Sequence, residues 1–182
     1  MNDSPIPFPR PGSAEYDFLL ESDTKKKKML KRWKNINKFI TIPLYRANII
    51  PLFGGHKIFL LLFTKGRKSG KQRITPVEYR KKDEVIHMVA GRGKKADWLQ
   101  NMLANPEDVE VKIGFKKRKV SFKQLTIEEK NDFLIWYVSK YPKAAKLLFG
   151  WNSKTDDLET ADFTSLSELI EIVKLMTKVF AM

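Results

Sequence analysis

The sequence predicts an α+β protein: a small antiparallel β-barrel with helices near both ends of the chain. Residues 57–124 contain successive strand-like segments separated by glycine-bearing or charged turns. Helical patterns precede and follow this region. The helical segment between the strands, residues 96–105, is shorter than the crossover of about a dozen residues that a parallel sheet requires. The strands are therefore expected to be antiparallel.

The N-terminal part is predicted to form an extended arm followed by a basic helix. Residues 1–14 are rich in proline, which predicts a disordered arm. Over residues 16–47, apolar side chains recur at steps of three and four among lysines, which predicts an amphipathic helix that Pro43 kinks or ends. Such a helix can pack on its own domain or lie on an anionic membrane surface. The apolar positions are Met29, Leu30, Trp33, Ile36, Phe39 and Ile40.

The central strands are predicted from apolar or alternating runs bounded by turn residues. The short helix among them ends at Asn105, because the residue before a proline disfavours helical geometry. The expected strands are residues 57–64, 72–80, 84–90, 109–113 and 117–125, with turns at 66–70, at 81–83 and at Gly114.

Two helices are predicted after the strands. Thr126 and Glu129 have the spacing of a capping box, which marks a helix start. This helix is expected to reach Tyr141, and Pro142 to begin a further short helix that ends at Gly150.

A polar linker over residues 152–162 is predicted to lead to a last helix at 164–181, opened by a second capping box of Ser165 and Glu168. The expected organisation is therefore an arm at 1–14, a cofactor-binding domain at 15–150, and a linker with a C-terminal helix at 151–182.

Composition narrows the classes of function. The formal charge is +14, from 35 Lys and Arg against 21 Asp and Glu, which favours an anionic partner such as an acidic cofactor, a membrane surface or nucleic acid. The chain has no Cys and two His, so a metal site or a Ser-His-Asp triad is not expected. No apolar run is long enough to span a bilayer and no signal peptide is visible. We expect a cytoplasmic protein that can bind peripherally at the inner face of the membrane.

Two basic, glycine-bearing turns follow strands and are the strongest candidates for an anion site. In FTKGRKSGKQR, residues 63–73, the glycines permit tight turns whose N–H groups can form an anion-binding nest, and arginine can bind phosphate through two donors. In AGRGKKADWLQNMLANP, residues 90–106, a similar turn precedes a helix N-terminus, which favours anions. We predict that both turns border one groove.

Together these stretches resemble the deazaflavin-dependent nitroreductase family, which includes F420H2-dependent quinone and nitro reductases. The resemblance covers roughly residues 30–150. The matching positions are Thr64, Gly66 to Gly70, Arg73 and Pro76 in the first motif, and Ala90, Gly91, Gly93, Trp98, Asn101, Ala104, Asn105 and Pro106 in the second. The resemblance implies a split β-barrel related to that of FMN-binding flavin reductases, with coenzyme F420 as the cofactor.

The resemblance also implies roles for individual residues. The phosphate and acidic tail of the coenzyme are expected at Arg67, Lys68, Ser69 and Arg73. The deazaflavin ring is expected against Pro76 and Glu78 and near the backbone of Ala90, Gly91, Arg92 and Gly93. Trp98 and Asn101 are expected to shape the pocket, although Trp98 also fits a core position.

The implied activity is hydride transfer from the reduced deazaflavin to an electron-poor acceptor: a quinone, an activated alkene or a nitroaromatic. Tyr137 and Tyr141 on the predicted C-terminal helix are candidate proton donors. Ala144 and Leu147 stand where the nitroreductase for which the family is named has further tyrosines, so its nitro-drug activity is not expected here.

The same residues also fit other hypotheses about the ligand. The barrel could bind FMN, or haem through His56 or His87. A nucleic-acid-binding module is a less favoured alternative, suggested by Trp33, Phe39 and Phe115 among lysines. The expected partners are a small-molecule electron acceptor, an anionic membrane surface and a second copy of the chain in a homodimer.

Overall fold

The computed structural model describes residues 7–177 and contains a closed barrel of six antiparallel strands in the order β1-β2-β3-β6-β5-β4. The predicted fold class, an α+β antiparallel barrel with flanking helices, is confirmed. The strands are β1 (Phe59–Lys65), β2 (Gln72–Lys82), β3 (Val85–Ala90), β4 (Glu110–Ile113), β5 (Lys116–Gln124) and β6 (Glu171–Thr177).

Two long strands, β2 and β5, are each shared between two sheets. The first part of β2 pairs with β1 up to Glu78, and its last part pairs with β3 from Tyr79 to Lys82. In the same way β5 pairs first with β4 and then with β6. The β2–β3 ladder therefore stops at the pair Tyr79–Met88, and the first part of β2 has one edge without a strand partner.

The barrel interior is apolar because alternate strand residues point inward. Leu60 and Leu62 of β1 and Val77 of β2 are among these buried residues. Helix α5 (Asp97–Ala104) inserts Leu99 and Met102 into the same core. These two apolar residues of the motif WLQNM thus anchor the helix to the barrel.

Helices α6 (Ile127–Lys140), α7 (Pro142–Phe149) and α8 (Thr164–Leu169) form a second apolar cluster against β3 and β6. The capping box of α6 is confirmed: Thr126 Oγ1 accepts from Glu129 N–H at 3.2 Å, and Glu129 Oε2 accepts from Thr126 N–H at 2.9 Å. The helices are α1 (Ala14–Leu20), α2 (Asp23–Ile36), α3 (Ile42–Arg46), α4 (Ile49–Leu52), α5 (Asp97–Ala104), α6 (Ile127–Lys140), α7 (Pro142–Phe149) and α8 (Thr164–Leu169).

The prediction of a helix over residues 164–181 is wrong for residues 171–177, which form β6, and residues 178–181 lie outside the described residues. Strand β6 pairs with β3 on one side and β5 on the other and so closes the barrel. Val173 and Leu175 face the barrel core, whereas Ile172 packs with the outer helices. Burial on both faces removes the polar alternation that would have marked a strand in the sequence. The barrel therefore uses residues on both sides of the linker that follows residue 150.

The prediction of a disordered arm over residues 1–14 is wrong for the part that the structure describes, while residues 1–6 lie outside the described residues. Phe8 is buried and stacks on Phe163 with ring centroids 4.8 Å apart. Arg10 forms an ion pair with Asp156 at 2.8 Å. This segment fixes the start of α1 against the domain.

Helix α2 projects basic and apolar side chains and has no buried residue. A π-helical turn, Asn37–Thr41, connects it to α3, where the helix continues past Pro43. In α3, the buried Tyr45 hydroxyl donates to Phe59 O at 3.0 Å and accepts from Gly114 N–H at 3.2 Å. Among residues 7–177, no helix has the length and apolar character needed to cross a membrane.

Candidate active site

A pocket opens where the β2–β3 ladder ends. Glu78 borders it on β2, and Val89 and Gly91 border it at the end of β3. Its volume is about 110 Å³. Its other walls come from the outer helices, and they are mainly apolar, so a bound ring would be shielded from water. The wall residues from the helical side are Glu15, Phe133, Leu134, Tyr137, Leu148, Phe149, Leu166 and Ile170.

Arg80 is a buried cation at this pocket. Its side chain is 12% exposed, and its guanidinium pairs with Glu78 and donates from Nη1 to Tyr79 O at 2.9 Å. The guanidinium carbon lies 4.9 Å from the ring centroid of Tyr141 and 5.7 Å from that of Tyr137. Two tyrosine rings and one carboxylate thus hold the cation in place.

Tyr137, a predicted proton donor, lies in the pocket wall and is 4% exposed. Its hydroxyl makes no hydrogen bond of standard geometry with a described residue, and the Arg80 guanidinium is a polar neighbour within interaction range. Burial raises the pKa of Tyr137, and the Glu78 carboxylate raises it further, while Arg80 opposes both effects. The side chain therefore remains a neutral O–H donor at neutral pH. The other predicted donor, Tyr141, caps the C-terminus of α6 and stacks on Arg80.

Helix α1 contributes a carboxyl group to the pocket. Glu15 lies so close to Gly91 that a Cβ at position 91 would be 2.4 Å from Glu15 Oε1. Burial raises the pKa of Glu15.

The N–H groups of Gly91 and Arg92 donate to no residue within the described part of the chain. The turn after β3 therefore presents free backbone donors next to the pocket, as the resemblance implies.

The basic loop at 66–70 lies at the other end of β2. Its N–H groups are largely used internally: Gly66 donates to Lys71 O at 2.9 Å, and Ser69 and Gly70 donate to Gly66 O at 3.2 and 2.8 Å. Arg67 N–H donates to Asn101 Oδ1 at 3.1 Å. The expected nest of backbone donors is therefore not formed, and an anion at this loop would be held by side chains.

The two sequence motifs meet at this loop. The Arg67 guanidinium donates to Asp97 Oδ1 at 3.0 Å and to Asn101 Oδ1 at 3.1 Å, and Asn105 Nδ2 donates to Lys65 O at 3.2 Å. Helix α5 thus fixes the loop, which accounts for Asn101 and Asn105 in the second motif. Arg67 is an internal brace in this arrangement.

Lys68 and Arg73 are two of the exposed cations of the basic stretch at 63–73. Arg73 Nη2 donates to Ser69 Oγ at 3.1 Å, which orients the guanidinium across Gly66. Lys68 forms no ion pair with any residue between 7 and 177. Along β2, five residues separate Arg73 from Glu78, or roughly 16 Å at about 3.3 Å per residue. Arg73 and Glu78 lie on opposite faces of β2, so an elongated ligand that reached from these cations to the pocket would have to cross the open edge of the strand.

The remaining predicted site residues pack within the barrel or against neighbouring backbone. Ala90 is buried in the barrel core, and Trp98 packs partly buried against it. Gly93 is buried, with a φ of 52° and its Cα against the Leu169 carbonyl. Pro76 lies opposite Leu61 on the half of β2 that has an open edge, where its missing N–H costs no ladder hydrogen bond.

Arg80 and Glu15 were not predicted as site residues. Glu78 and Arg80 alternate along β2, so both point to the outer face, and this period-two spacing was the available signal. No pattern in the sequence indicated that Glu15 belongs to the site, because this residue directly follows the segment that was predicted to be a disordered arm.

His87, one of the two possible haem ligands, is buried beneath α6. Its ring lies 4.9 Å from that of Phe133, and its Nδ1 is 3.0 Å from Val85 O. Burial lowers the pKa of His87, so the ring is neutral. The side chain of His56 lies outside the described residues.

Comparison with known proteins identifies the family of the chain. Residues 45–153 match the family model of the F420H(2)-dependent quinone reductases. The chain belongs to this family. The matched region contains both basic turns, the open part of β2 and helix α6. The predicted relation to F420-dependent reductases is confirmed, and the chain belongs to a family of oxidoreductases.

Individual relatives are more distant. Over 92 residues the chain is 30% identical to the F420H(2)-dependent quinone reductases Rv1261c and MT1299 of two Mycobacterium tuberculosis strains, H37Rv and CDC 1551. These matches cover 46% of this chain and 61% of each relative. A solved structure of an F420-H2 dependent reductase, FDR-A, is 28% identical, with 66% of this chain and 95% of that chain covered and a TM-score of 0.45.

Proposed function

We propose that the protein uses reduced coenzyme F420 to reduce a quinone-type acceptor. One structural observation supports the proposal in addition to family membership. The open edge of β2 lies between exposed cations at one end and an apolar pocket at the other. A ligand with a flat ring and a multiply negative tail fits both ends. FMN has a phosphate but no acidic tail, and would leave part of the basic surface unused.

The residues present fit this coenzyme. Lys68 and Arg73 would hold its phosphate and carboxylates, with Arg92 at the facing turn. The free N–H groups of Gly91 and Arg92 would donate to oxygens on the ring. The rigid brace between Arg67 and α5 keeps the loop in position, so little ordering entropy is lost on binding.

When bound, the coenzyme supplies a hydride. The chain's contribution is to hold the acceptor close to the reacting carbon, within about 3–3.5 Å, and to keep water out. The apolar side chains Phe133, Leu134 and Phe149 would exclude water around the ring. Arg80 and Tyr137 are polar residues of this wall that can donate hydrogen bonds to the electron acceptor.

Charge removal at the loop is expected to weaken coenzyme binding. The double variant Lys68→Ala/Arg73→Ala should raise the Kd for F420 about a hundredfold or more, since charge-assisted hydrogen bonds contribute about 1.5–3 kcal/mol each. The deazaflavin fluorescence during titration measures the Kd. FMN, FAD and haem are titrated separately into the wild-type protein.

A matched control separates this effect from loss of overall positive charge. Lys116→Ala/Arg118→Ala removes the same charge from exposed positions of β5 and should change the Kd less than threefold. Equal weakening by both double variants would mean that no localised anion site exists. Binding of FMN alone would replace the coenzyme assignment, whereas F420 binding without oxidation of F420H2 by menadione would remove the proposed reaction.

We also propose an anionic lipid surface as the partner of α2. The helix carries Lys27, Lys28 and Lys31 beside exposed apolar side chains, of which Trp33 is 58% and Phe39 67% exposed. Basic residues are attracted to anionic lipid headgroups, and the apolar side chains beside them can insert at the boundary between headgroups and acyl chains. A membrane-bound protein could meet quinones dissolved in the lipid.

Reversal of charge on α2 tests this partner. Lys27→Glu/Lys31→Glu should lower the fraction that pellets with phosphatidylglycerol-containing vesicles at least tenfold, since each basic residue contributes about 1 kcal/mol near such a surface. The control Lys116→Glu/Lys119→Glu reverses charge on β5 and should leave pelleting nearly unchanged. Absence of pelleting by the wild type at low salt, or a homodimer that α2 variants dissociate, would exclude the lipid surface as the occupant.

A further inference from the structure

Two buried hydrogen-bond donors without partners line the same pocket. Within residues 7–177, the buried side-chain polar atoms that lack a partner are Arg80 Nε, Tyr137 Oη and Trp151 Nε1. The first two belong to residues of the pocket wall, and the Arg80 guanidinium carbon is 5.7 Å from the Tyr137 ring centroid. The two donors are therefore close enough to serve one ligand group.

Unpaired buried donors reduce the stability of a protein, because each has lost its hydrogen bonds to water. In Tyr137 the hydroxyl is the only difference from phenylalanine, and this hydroxyl forms no bond that supports the fold. Polar groups that work against stability are characteristic of functional sites. The pair is thus better explained by a ligand than by packing.

The surroundings define the chemistry of that ligand. Each Nη atom of Arg80 has a partner, Glu78 or Tyr79 O, whereas Nε is a buried guanidinium nitrogen without one. Nε can only donate and the Tyr137 hydroxyl can donate, so a ligand atom that binds both must be an acceptor. The walls around them are mainly apolar. An oxygen on an aromatic body, such as the carbonyl of a quinone, meets both conditions.

We propose that Arg80 Nε and Tyr137 Oη together bind one carbonyl oxygen of the quinone acceptor and stabilise the negative charge that develops on it. This inference rests on the proposed function. In the step, the quinone takes up a hydride and is reduced by two electrons, while the coenzyme is oxidised. The hydride forms one new bond to the quinone, and the electron pair displaced from the carbonyl bond resides on the bound oxygen. After release, the hydroquinone anion takes up one proton from water, and the oxidised coenzyme returns one proton to the solvent.

In this arrangement Arg80 and Tyr137 keep their protons. Tyr137 acts as a hydrogen-bond donor rather than as the proton donor that the sequence suggested, and Arg80 supplies the positive charge. Glu78 and Tyr141 are positioning residues, because they contact the guanidinium and fix which of its N–H groups is free. Neither requires contact with the quinone.

The test compares Tyr137→Phe and Arg80→Lys with Tyr45→Phe. Phenylalanine at 137 keeps the ring and removes one donor; lysine at 80 keeps the charge and removes Nε. Tyr45 is a matched control, because its buried hydroxyl is hydrogen-bonded to the backbone and its side chain is not among those that line the pocket. The measurements are thermal unfolding, F420 binding, kcat/KM with F420H2 and menadione, and menadione binding to the coenzyme-free protein by ligand-detected NMR.

We expect Tyr137→Phe and Arg80→Lys to lower kcat/KM for menadione about a hundredfold, the scale on which lost charge-stabilising donors act. Menadione binding should weaken at least fivefold, with F420 binding unchanged within threefold. Tyr137→Phe should not lower Tm, whereas Tyr45→Phe should lower Tm and leave kcat/KM unchanged. This opposite pattern would not arise from a structural role of Tyr137.

Several results would overturn the inference. Menadione binding that is undetectable in the wild type, or equal in the wild type and Tyr137→Phe, would do so, as would a defect confined to F420 binding. Because the NMR measurement needs no coenzyme, its outcome is independent of the proposed reaction. An unchanged kcat/KM in both variants of an active enzyme would remove this oxygen site and leave the reductase function intact.

Discussion

Replacing Lys130 by methionine is expected to destabilise the protein by about 3–5 kcal/mol, the usual cost of removing one partner from a buried ion pair. Lys130 Nζ lies 3.1 Å from Glu171 Oε2, and both side chains are 6% exposed. The same ammonium donates to Ser167 O at 3.0 Å and to Ile170 O at 2.9 Å. Methionine would leave a buried carboxylate without its counter-charge and two carbonyls without their donor.

Thermal and urea unfolding measure this loss, which should lower Tm by roughly 6–20 °C in a chain of this size. The double variant Lys130→Met/Glu171→Leu should recover part of the loss, because it removes the uncompensated charge. Lys123→Met is the matched control: this lysine reaches Glu129 only at 3.5 Å on the surface, so its loss should cost less than about 1 kcal/mol. A cost below about 1 kcal/mol for Lys130→Met would show that the buried pair does not hold α6 to β6.

The second large effect is expected from Gly93→Ala. A Cβ at this position would lie 2.2 Å from the backbone oxygen of Leu169, and the glycine has a φ of 52°. The left-handed conformation costs a non-glycine residue about 1–2 kcal/mol, and overpacking a further 1–3 kcal/mol. We expect a loss of about 2–5 kcal/mol in the free energy of unfolding.

The clash has a functional consequence, because backbone cannot move aside as a side chain can. The turn after β3 and the end of α8 would have to separate, and Gly91 and Ile170 in these segments line the pocket. Gly93→Ala should therefore also weaken F420 binding in the fraction that folds. Gly54→Ala is the control: its φ is 80°, but nothing lies within 4 Å of the added Cβ, so only about 1–2 kcal/mol should be lost. Equal losses in the two variants would mean that the contact with Leu169 is unimportant.

Local patterns in the sequence were sufficient for much of the fold. The capping box at Thr126 and Glu129, the glycine turn at 66–70 and the helix stop at Asn105 each depend on interactions within a few residues, and the structure has all three. Such features are readable because neighbours in sequence determine them. The meeting of the two basic motifs could also be predicted, from their common position at strand ends.

Features that depend on distant partners could not be predicted in this way. Residues 171–177 are flanked by helix-like signals, and only their pairing with β3 and β5 makes them a strand. The same is true of Phe8, whose burial depends on Phe163. The pocket itself was only partly foreseen: Glu78, Gly91 and Tyr137 were named, but the ion pair with Arg80 required the outer face of β2 to be known.

The place of β6 in the barrel affects the order of events during protein synthesis. While the ribosome is still translating the segment before residue 171, β3 and β5 each lack a neighbour along one edge. Exposed strand edges promote aggregation, so the nascent chain passes through a vulnerable stage until β6 has been synthesised. The pocket, with walls drawn from Glu15 to Ile170, also takes shape only once these residues have been synthesised. A ligand that requires all of these walls can therefore bind only after residue 170 has left the ribosome.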